Sequence, residues 1–148
     1  MGINTLNMNT SFVSKHVIHP YSIRLLIATP STDKHKTILK KKWKIEDEEE
    51  NLCSVYRLNY KGWATFIIVF KIEYIQTLTY GMLAHEAQHV VDYTLNSIGH
   101  IYDPENNEVG CYLIEWVTNT IFQHFIDQKI LHLLSAKSKI IKKDGESN

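Results

Sequence analysis

The chain has 148 residues, its 16 Lys and Arg residues balance 16 Asp and Glu residues, and 44% of its residues are hydrophobic. This length suits a single folded domain, residues 1–148, that buries a core without disulfide bonds or a structural metal. The balanced charge excludes a strong overall attraction to nucleic acid or anionic membranes, so neither partner is expected.

The N-terminal sequence and the apolar runs bear on location. Residues 1–20 contain no basic segment leading into a continuous apolar stretch, which is the pattern of a signal peptide. The most apolar run, WATFIIVF, is too short to cross a bilayer. Cys53 and Cys111 match neither a zinc-thiolate nor a disulfide pattern. We therefore expect a cytoplasmic protein without a membrane anchor.

The first part of the chain predicts one strand followed by a short helix. Residues 1–10 are polar and are expected to be loose. The segment YSIRLLIAT, between Pro20 and Pro30, is rich in aliphatic and β-branched residues, which predicts a strand. Ser31 is a suitable N-cap, and apolar residues at helical spacing after it predict a helix.

That helix contains a lysine run. Six lysines lie between positions 34 and 44, together with Trp43, and such a run can contact phosphate groups. The acidic run 46–51 follows directly and weakens this field, so we interpret the lysines as the solvated face of an amphipathic helix. LCSVYRLNY and WATFIIVFKI come next, separated by Lys61 and Gly62, and they predict a β-hairpin whose second strand is buried.

The second half of the chain predicts two long helices. Apolar residues recur at helical spacing from about position 74 to 98, and Gly99 is a natural C-cap. Asp103 and Pro104 are a suitable N-cap and first residue for the next helix. Residues 136–148 are polar and basic and are expected to fray. The predicted fold is a single α+β domain, with a small antiparallel sheet containing the hairpin packed on these two helices.

The first long helix carries the pattern His-Glu-x-x-His at positions 85 to 89. The spacing places His85 and His89 one above the other, so that both imidazoles reach one metal ion. Glu86 projects to the side, where a general base would reach a water molecule. The pentapeptide alone is a weak signal, but Asp92 and Asn96 extend the histidines into a polar stripe opposite an apolar face. Asp92 is a candidate to orient His89, or a solvated surface residue.

The second long helix has a polar stripe of its own. Glu108, Tyr112, Glu115 and Asn119 are spaced by four, three and four residues, opposite an apolar face. If the two helices pack as a hairpin, a carboxylate from this stripe would complete a His, His, Glu zinc site.

These motifs resemble a known arrangement. His85-Glu86-x-x-His89, a turn, and a helix beginning EVGCYL are similar to the gluzincins, in particular to minigluzincins and to short bacteriophage-encoded metallopeptidase-like proteins. The resemblance covers about residues 75–126 and implies a zincin-like fold. It implies Zn²⁺ held by His85, His89 and Glu108, with Glu86 as the base. Cys111 departs from the alanine usual in that pattern.

Other ligand choices are weaker, and one stays open. Glu115 competes with Glu108, which is favoured because it is nearer the helix start. His100 is a distant third choice. Tyr112, or less favourably His100, is a candidate to stabilise the oxyanion. The metzincin pattern requires Gly and His where this chain has Asp92 and Leu95. The remaining histidines, which include His16, His19, His35, His124 and His132, show no ligand spacing and are interpreted as structural.

The function indicated by these features is zinc-dependent peptidase activity, in which a metal-activated water attacks a peptide bond and Glu86 accepts its proton. The substrate is a peptide or protein of unknown identity, and the oligomeric state stays open. The alternative is a binding protein that keeps the zincin framework without turnover, such as a phage or mobile-element accessory protein.

Overall fold

A computed structural model describes residues 12–48, 50–101 and 103–134. The predictions of a loose N-terminus (1–10) and a frayed tail (136–148) lie outside the described residues. Within these ranges, four strands and three α-helices occur in the order β1 (Val13–Ile18), β2 (Ile23–Ala28), α1 (Asp33–Trp43), β3 (Cys53–Tyr60), β4 (Trp63–Phe70), α2 (Tyr80–Ser97) and α3 (Glu108–Asp127), with short 3₁₀ helices at Ile72–Thr77 and Leu131–Leu133.

The four strands form one mixed sheet in the order β1-β2-β4-β3. Strands β1 and β3 are antiparallel to their neighbours, but β2 and β4 are parallel, with Leu25 opposite Phe66. The α+β class is therefore confirmed, and the prediction of an antiparallel sheet is wrong. The reason is that β3 begins at the end of the sheet where β2 finishes, since Val69 is opposite Ala28 and Phe70 is opposite Cys53; the hairpin then turns β4 back, parallel to β2, into the position between β2 and β3.

The sheet has helices on both faces. Side chains alternate along β4, so Phe66, Ile68 and Phe70 contact α2 and α3, whereas Ile67 and Val69 contact α1. The two faces thus bury separate hydrophobic clusters, and α1 forms a third layer that the sequence analysis did not predict. The larger cluster supports α2, the helix that carries His-Glu-x-x-His.

The predicted hairpin is confirmed. Lys61 and Gly62 form its turn, and both have positive φ, 53° and 78°, as a two-residue type I′ turn requires. Strand β4 lies between β2 and β3, so its apolar residues are buried in the interior of the sheet. Strand β1 was not predicted, because its polar residues interrupt the apolar alternation that marks a strand.

Helix boundaries follow local capping and differ from prediction at three starts. Helix α2 begins at Tyr80 and not near position 74, because a separate 3₁₀ helix, Ile72–Thr77, precedes it. Helix α1 is capped by Thr32, whose hydroxyl accepts from the His35 backbone N–H, and not by Ser31. Helix α3 begins at Glu108, because Asp103 accepts from the Glu105 N–H and closes a turn before the helix. In the described ranges, no helix is long and apolar enough to cross a membrane.

Candidate metal centre

Helix α2 lies with one side on the sheet and the opposite side exposed. Thr79 caps its N-terminus by accepting from the Met82 N–H, and Gly99 ends it with a φ of 69°, as predicted. The buried side of the helix consists of Leu83, Glu86, Ala87, Val90, Val91, Thr94 and Leu95. The predicted apolar face is confirmed at its centre, but Ala84 and Ile98 at its ends are exposed.

His85 and His89 approach each other on the outer side of α2. Their Nε2 atoms are 3.0 Å apart, and their rings meet edge to face with centroids 4.6 Å apart. His89 also stacks on Tyr93, whose ring lies under the Arg57 guanidinium at 4.5 Å. The pair is therefore held at one end by a stack that reaches strand β3. Asp92 accepts from the Gln88 side chain, and no bond to His89 is found in the described part of the chain.

Glu86 is turned toward the sheet and only 6% exposed. The Cys53 thiol, at the start of edge strand β3, donates to Glu86 Oε1 at 3.3 Å. Burial raises the pKa of Cys53 to about 12, and the Glu86 carboxylate adds to this by its charge and hydrogen bond. The thiol therefore stays protonated at neutral pH and remains a donor to Glu86.

The two cysteines are expected to differ in reactivity. Thiolates are the reactive species, so Cys53, half-buried and with a raised pKa, is expected to react slowly, whereas Cys111 is exposed. Titration of the native protein at pH 8 with a thiol-specific chromogenic disulfide should show one fast thiol per chain. The second should appear only on unfolding with guanidinium.

Two variants identify which cysteine gives the fast reaction and which gives the slow one. Cys111→Ser should remove the fast reaction, and Cys53→Ser should leave it unchanged. Two fast thiols in the native wild type would contradict the protected position of Cys53 beside Glu86.

Helices α2 and α3 pack side by side and run in opposite directions. Tyr80, at the start of α2, contacts Phe122, near the end of α3, with ring centroids 5.8 Å apart. At the other end, Leu95 shares a small depression with Gly110. With a rise of 1.5 Å per residue, this register brings the middle of α3 level with the two histidines. The start of α3, at Glu108, lies nearer the end of α2.

The predicted carboxylate stripe of α3 lies outside this helix contact. Its four members, Glu108, Tyr112, Glu115 and Asn119, are all exposed. Helix α2 is instead faced by Asn107, Gly110, Cys111 and Ile114. Among the residues that the structure describes, no group of three His, Cys, Asp or Glu side chains is arranged to hold a metal. The structure thus brings His85 and His89 together without a third ligand.

The two oxyanion candidates lie away from the histidine pair. Tyr112 is 68% exposed and lines a groove on the far side of α3, formed with the β1–β2 turn and Trp116. His100 lies in the connection after α2, and its Nε2 has no hydrogen-bond partner in the described ranges. Neither position supports a contact with the predicted site, and the role of each stays a prediction.

A second histidine cluster lies between α3 and the sheet. His124 is 2% exposed, with Nδ1 2.8 Å from Ser14 Oγ and Nε2 3.0 Å from Thr29 Oγ1. Thr29 donates to the Phe12 carbonyl, so His124 Nε2–H donates to Thr29; because burial lowers the pKa of His124 to about 4, its Nδ1 is unprotonated at neutral pH and accepts from Ser14. Ser14 in turn is bonded to His16 Nε2. His124 is therefore a neutral, structural histidine, as predicted.

Comparison with protein-family models, curated proteins and solved structures finds no match to this chain.

Sequence reasoning missed the residues that adjoin the histidine pair from the sheet. Cys53 and Arg57 lie four apart in β3, so they project from the same face, toward α2. Strand alternation indicates that these two share a face. It does not indicate that this face covers α2, because that pairing depends on contacts distant in sequence.

Proposed function

We propose that this chain is a zinc-dependent peptidase in which His85 and His89 are zinc ligands and Glu86 is the general base. The observation that carries the proposal is the 3.0 Å separation of the two Nε2 atoms on the outer side of α2. Two nitrogen ligands at about 2.0–2.1 Å from a tetrahedral zinc are about 3.4 Å apart. The pair therefore fits zinc after an opening of a few tenths of an ångström.

A carboxylate of α3 would be the third ligand. We propose Glu108, on the resemblance of EVGCYL to the gluzincin pattern, with Glu115 as its competitor. The antiparallel register of the helices supports Glu115, which is nearer the level of the histidines. Glu115 is exposed and would have to turn inward on metal binding, at a modest cost in side-chain entropy, whereas Glu108 is near the level of the end of α2, so its use would also require the helices to shift.

The chain's own residues would divide the work of peptide hydrolysis. Bound zinc would supply Lewis-acid polarisation and a lowered pKa for water. Glu86 would accept a proton from the attacking water at one carboxylate oxygen and deliver it to the leaving amine. The Cys53 thiol, by donating to Oε1, would hold that carboxylate in a fixed orientation. Glu86 is about 100° around α2 from His85 and is buried against the sheet, so in the proposed role its carboxylate would reach the water from the side of β3.

Strand β3 offers a way to hold the substrate. Among the strands that the structure describes, it is an edge strand whose one neighbour is β4, and it flanks α2 through the contact of Cys53 with Glu86. An extended peptide can add to a free edge through main-chain hydrogen bonds. We propose β3 for this role and not β4, because β4 is enclosed by strands on both sides.

Zinc content tests the metal site. Protein purified without added zinc and without chelators is expected to contain about one zinc per chain, measured by inductively coupled plasma mass spectrometry. His85→Ala, His89→Ala and Glu108→Ala should each lose most of this zinc, since a three-ligand site does not tolerate loss of a ligand. Glu115→Ala and the controls Glu105→Ala and His132→Ala should keep it.

The zinc contents of these variants distinguish Glu108 from Glu115 as the third ligand and test whether a metal site exists. Zinc lost with Glu115→Ala and kept with Glu108→Ala would reassign the third ligand. No zinc in the wild type would contradict the metal site altogether.

A binding protein with a zincin framework is the second candidate. The observation in its favour is that no third metal-binding side chain joins the histidine pair within the described residues. Such a protein would bind a peptide or protein without cleaving it, so it would not depend on Glu86.

A further inference from the structure

The α1 side of the sheet is only partly covered. Helix α1 packs over the end of β2 and β4 that contains Ala28 and Val69. The other end carries Lys15 and Arg24. Lys15 is paired with Leu26, and Arg24 precedes Leu26 by two residues, so strand alternation places both side chains on the α1 side of the sheet. Trp63 lies beside them, with the Arg24 guanidinium 4.5 Å from its ring centroid.

Two depressions open on this face. One, of about 380 Å³, is lined by residues that include Lys15, Arg24, Trp43 and Tyr60. The other, of about 570 Å³, shares Trp43 and Tyr60 and adds Lys42 and Lys44. Both volumes are within the range of small-molecule sites, about 300–1,000 Å³. We call the combined surface the basic–aromatic face, which consists of Lys15, Arg24, Lys42, Trp43, Lys44, Tyr60, Lys61 and Trp63.

The charge of this face is uniformly positive. It carries five cationic side chains, and neither depression is lined by an Asp or Glu among the described residues. The four strands themselves contain no acidic residue. The acidic residues after α1 are engaged elsewhere: Asp47 pairs with Lys36 and Lys71, and Glu46 pairs with Lys40. These ion pairs offset part of the acidic charge, although the pKa of Tyr56, which lines the second depression, is raised by burial and further by the charges of Glu48 and Asp47.

Aromatic rings lie among these cations. Trp63 is 38% exposed, Lys61 lies over the Tyr60 ring at 5.3 Å, and Lys42 lies over the Trp43 ring at 4.8 Å. Trp43 is 97% buried, lines both depressions, and its Nε1 donor has no hydrogen-bond partner in the described part of the chain.

We propose that the basic–aromatic face binds single-stranded nucleic acid, with phosphates on the lysines and Arg24 and with bases stacked on Trp63 and Tyr60. Cations that follow the backbone, combined with exposed rings, are the features of single-strand binding, since a duplex keeps its bases stacked internally. Both features become visible only when strands and α1 are assembled, because Lys15, Arg24 and Trp63 are distant in sequence. The proposal is independent of the histidine pair on the opposite side of the sheet.

Fluorescence anisotropy with a labelled 15-nucleotide oligothymidylate tests the charge contribution. We expect saturable binding at 50 mM salt that weakens as salt is added. A plot of the logarithm of the association constant against the logarithm of the salt concentration should have a slope of about −2 to −4, because the face has five cations and each phosphate contact of a single strand contributes about −0.7 to the slope. Lys15→Glu/Lys61→Glu should weaken binding at least tenfold. The matched control Lys34→Glu/Lys129→Glu has the same change in net charge away from the face and should weaken it less than threefold.

The aromatic contribution is tested by a second matched pair. Trp63 and Trp116 are equally exposed, at 38%, on opposite sides of the sheet. Trp63→Ala should weaken oligothymidylate binding about tenfold and heparin binding little, because only a base stacks. Trp116→Ala should change neither, and circular dichroism should show that all variants are folded.

Three outcomes would overturn the proposal: no binding of the wild type at 50 mM salt, equal losses in the two charge-reversal variants, or equal affinity of Trp63→Ala and wild type for the oligonucleotide. The last result, with heparin bound as tightly as DNA, would assign the face to anionic polymers in general.

Discussion

Replacing Glu86 with glutamine is expected to abolish peptide hydrolysis while leaving the zinc content unchanged. Glutamine keeps the shape of the side chain and an oxygen that accepts from the Cys53 thiol, so the buried contact at 3.3 Å is retained. It cannot accept a proton from water, and loss of a general base lowers the rate about a hundred- to ten-thousand-fold. Cleavage of fluorescein-labelled casein and of a proteome-derived peptide library, analysed by mass spectrometry, measures the effect.

The control for this variant is Glu105→Gln, which removes an exposed carboxylate from the turn before α3. It should cleave as the wild type does. Equal proteolysis by Glu86→Gln and wild type would remove Glu86 from the mechanism. A wild type that holds stoichiometric zinc but cleaves nothing in the library would favour the binding-protein alternative.

Acidification is expected to destabilise the fold through His124. Burial lowers the pKa of His124 from 6.5 to about 4. Nearby His16 lowers this pKa further by a smaller amount, and Asp127 opposes the shift. The unfolded chain therefore binds a proton between pH 6.5 and 4 that the folded chain does not. The stabilisation is fully present above pH 6.5 and is lost as the pH falls toward 4, by about 3 kcal/mol in total.

Urea unfolding at a series of pH values from 7.5 to 4.5 measures this loss. In His124→Gln the amide can still donate to Thr29 and accept from Ser14 but cannot be protonated, so the fall in unfolding free energy should be clearly smaller. His132→Gln removes an exposed histidine and should keep the wild-type dependence. An identical pH dependence in His124→Gln and wild type would show that other groups cause the acid sensitivity.

Much of the local structure followed from the sequence. The Lys61-Gly62 turn, the C-cap at Gly99 and the buried faces of the long helices were predicted, because turn chemistry, capping and periodicity act over a few residues. Local signals failed where two were in competition, as at Asp103, whose side chain closes a turn instead of capping α3.

The features of the candidate site also fall into two groups, those that the sequence predicted and those that depend on how the elements pack. The spacing of His85 and His89 on one helix was sufficient to bring their rings together, because the helical repeat alone determines it. The contact of Glu86 with Cys53, the exposure of Glu108 and Glu115, and the separation of Tyr112 from the histidines depend on which elements pack against α2. No pattern within a single helix contains that information.

The sequence by itself determined most of the elements, although not β1, together with the histidine pair on α2 and the α+β class. Only the tertiary structure decided the parallel pairing of β2 with β4, the position of α1 as a separate layer, and the grouping of Lys15, Arg24 and Trp63 on one face. The physical reason is that strand order and layer packing join residues far apart in the chain. Their free energy comes from burial of both sheet faces at once, which no local segment encodes.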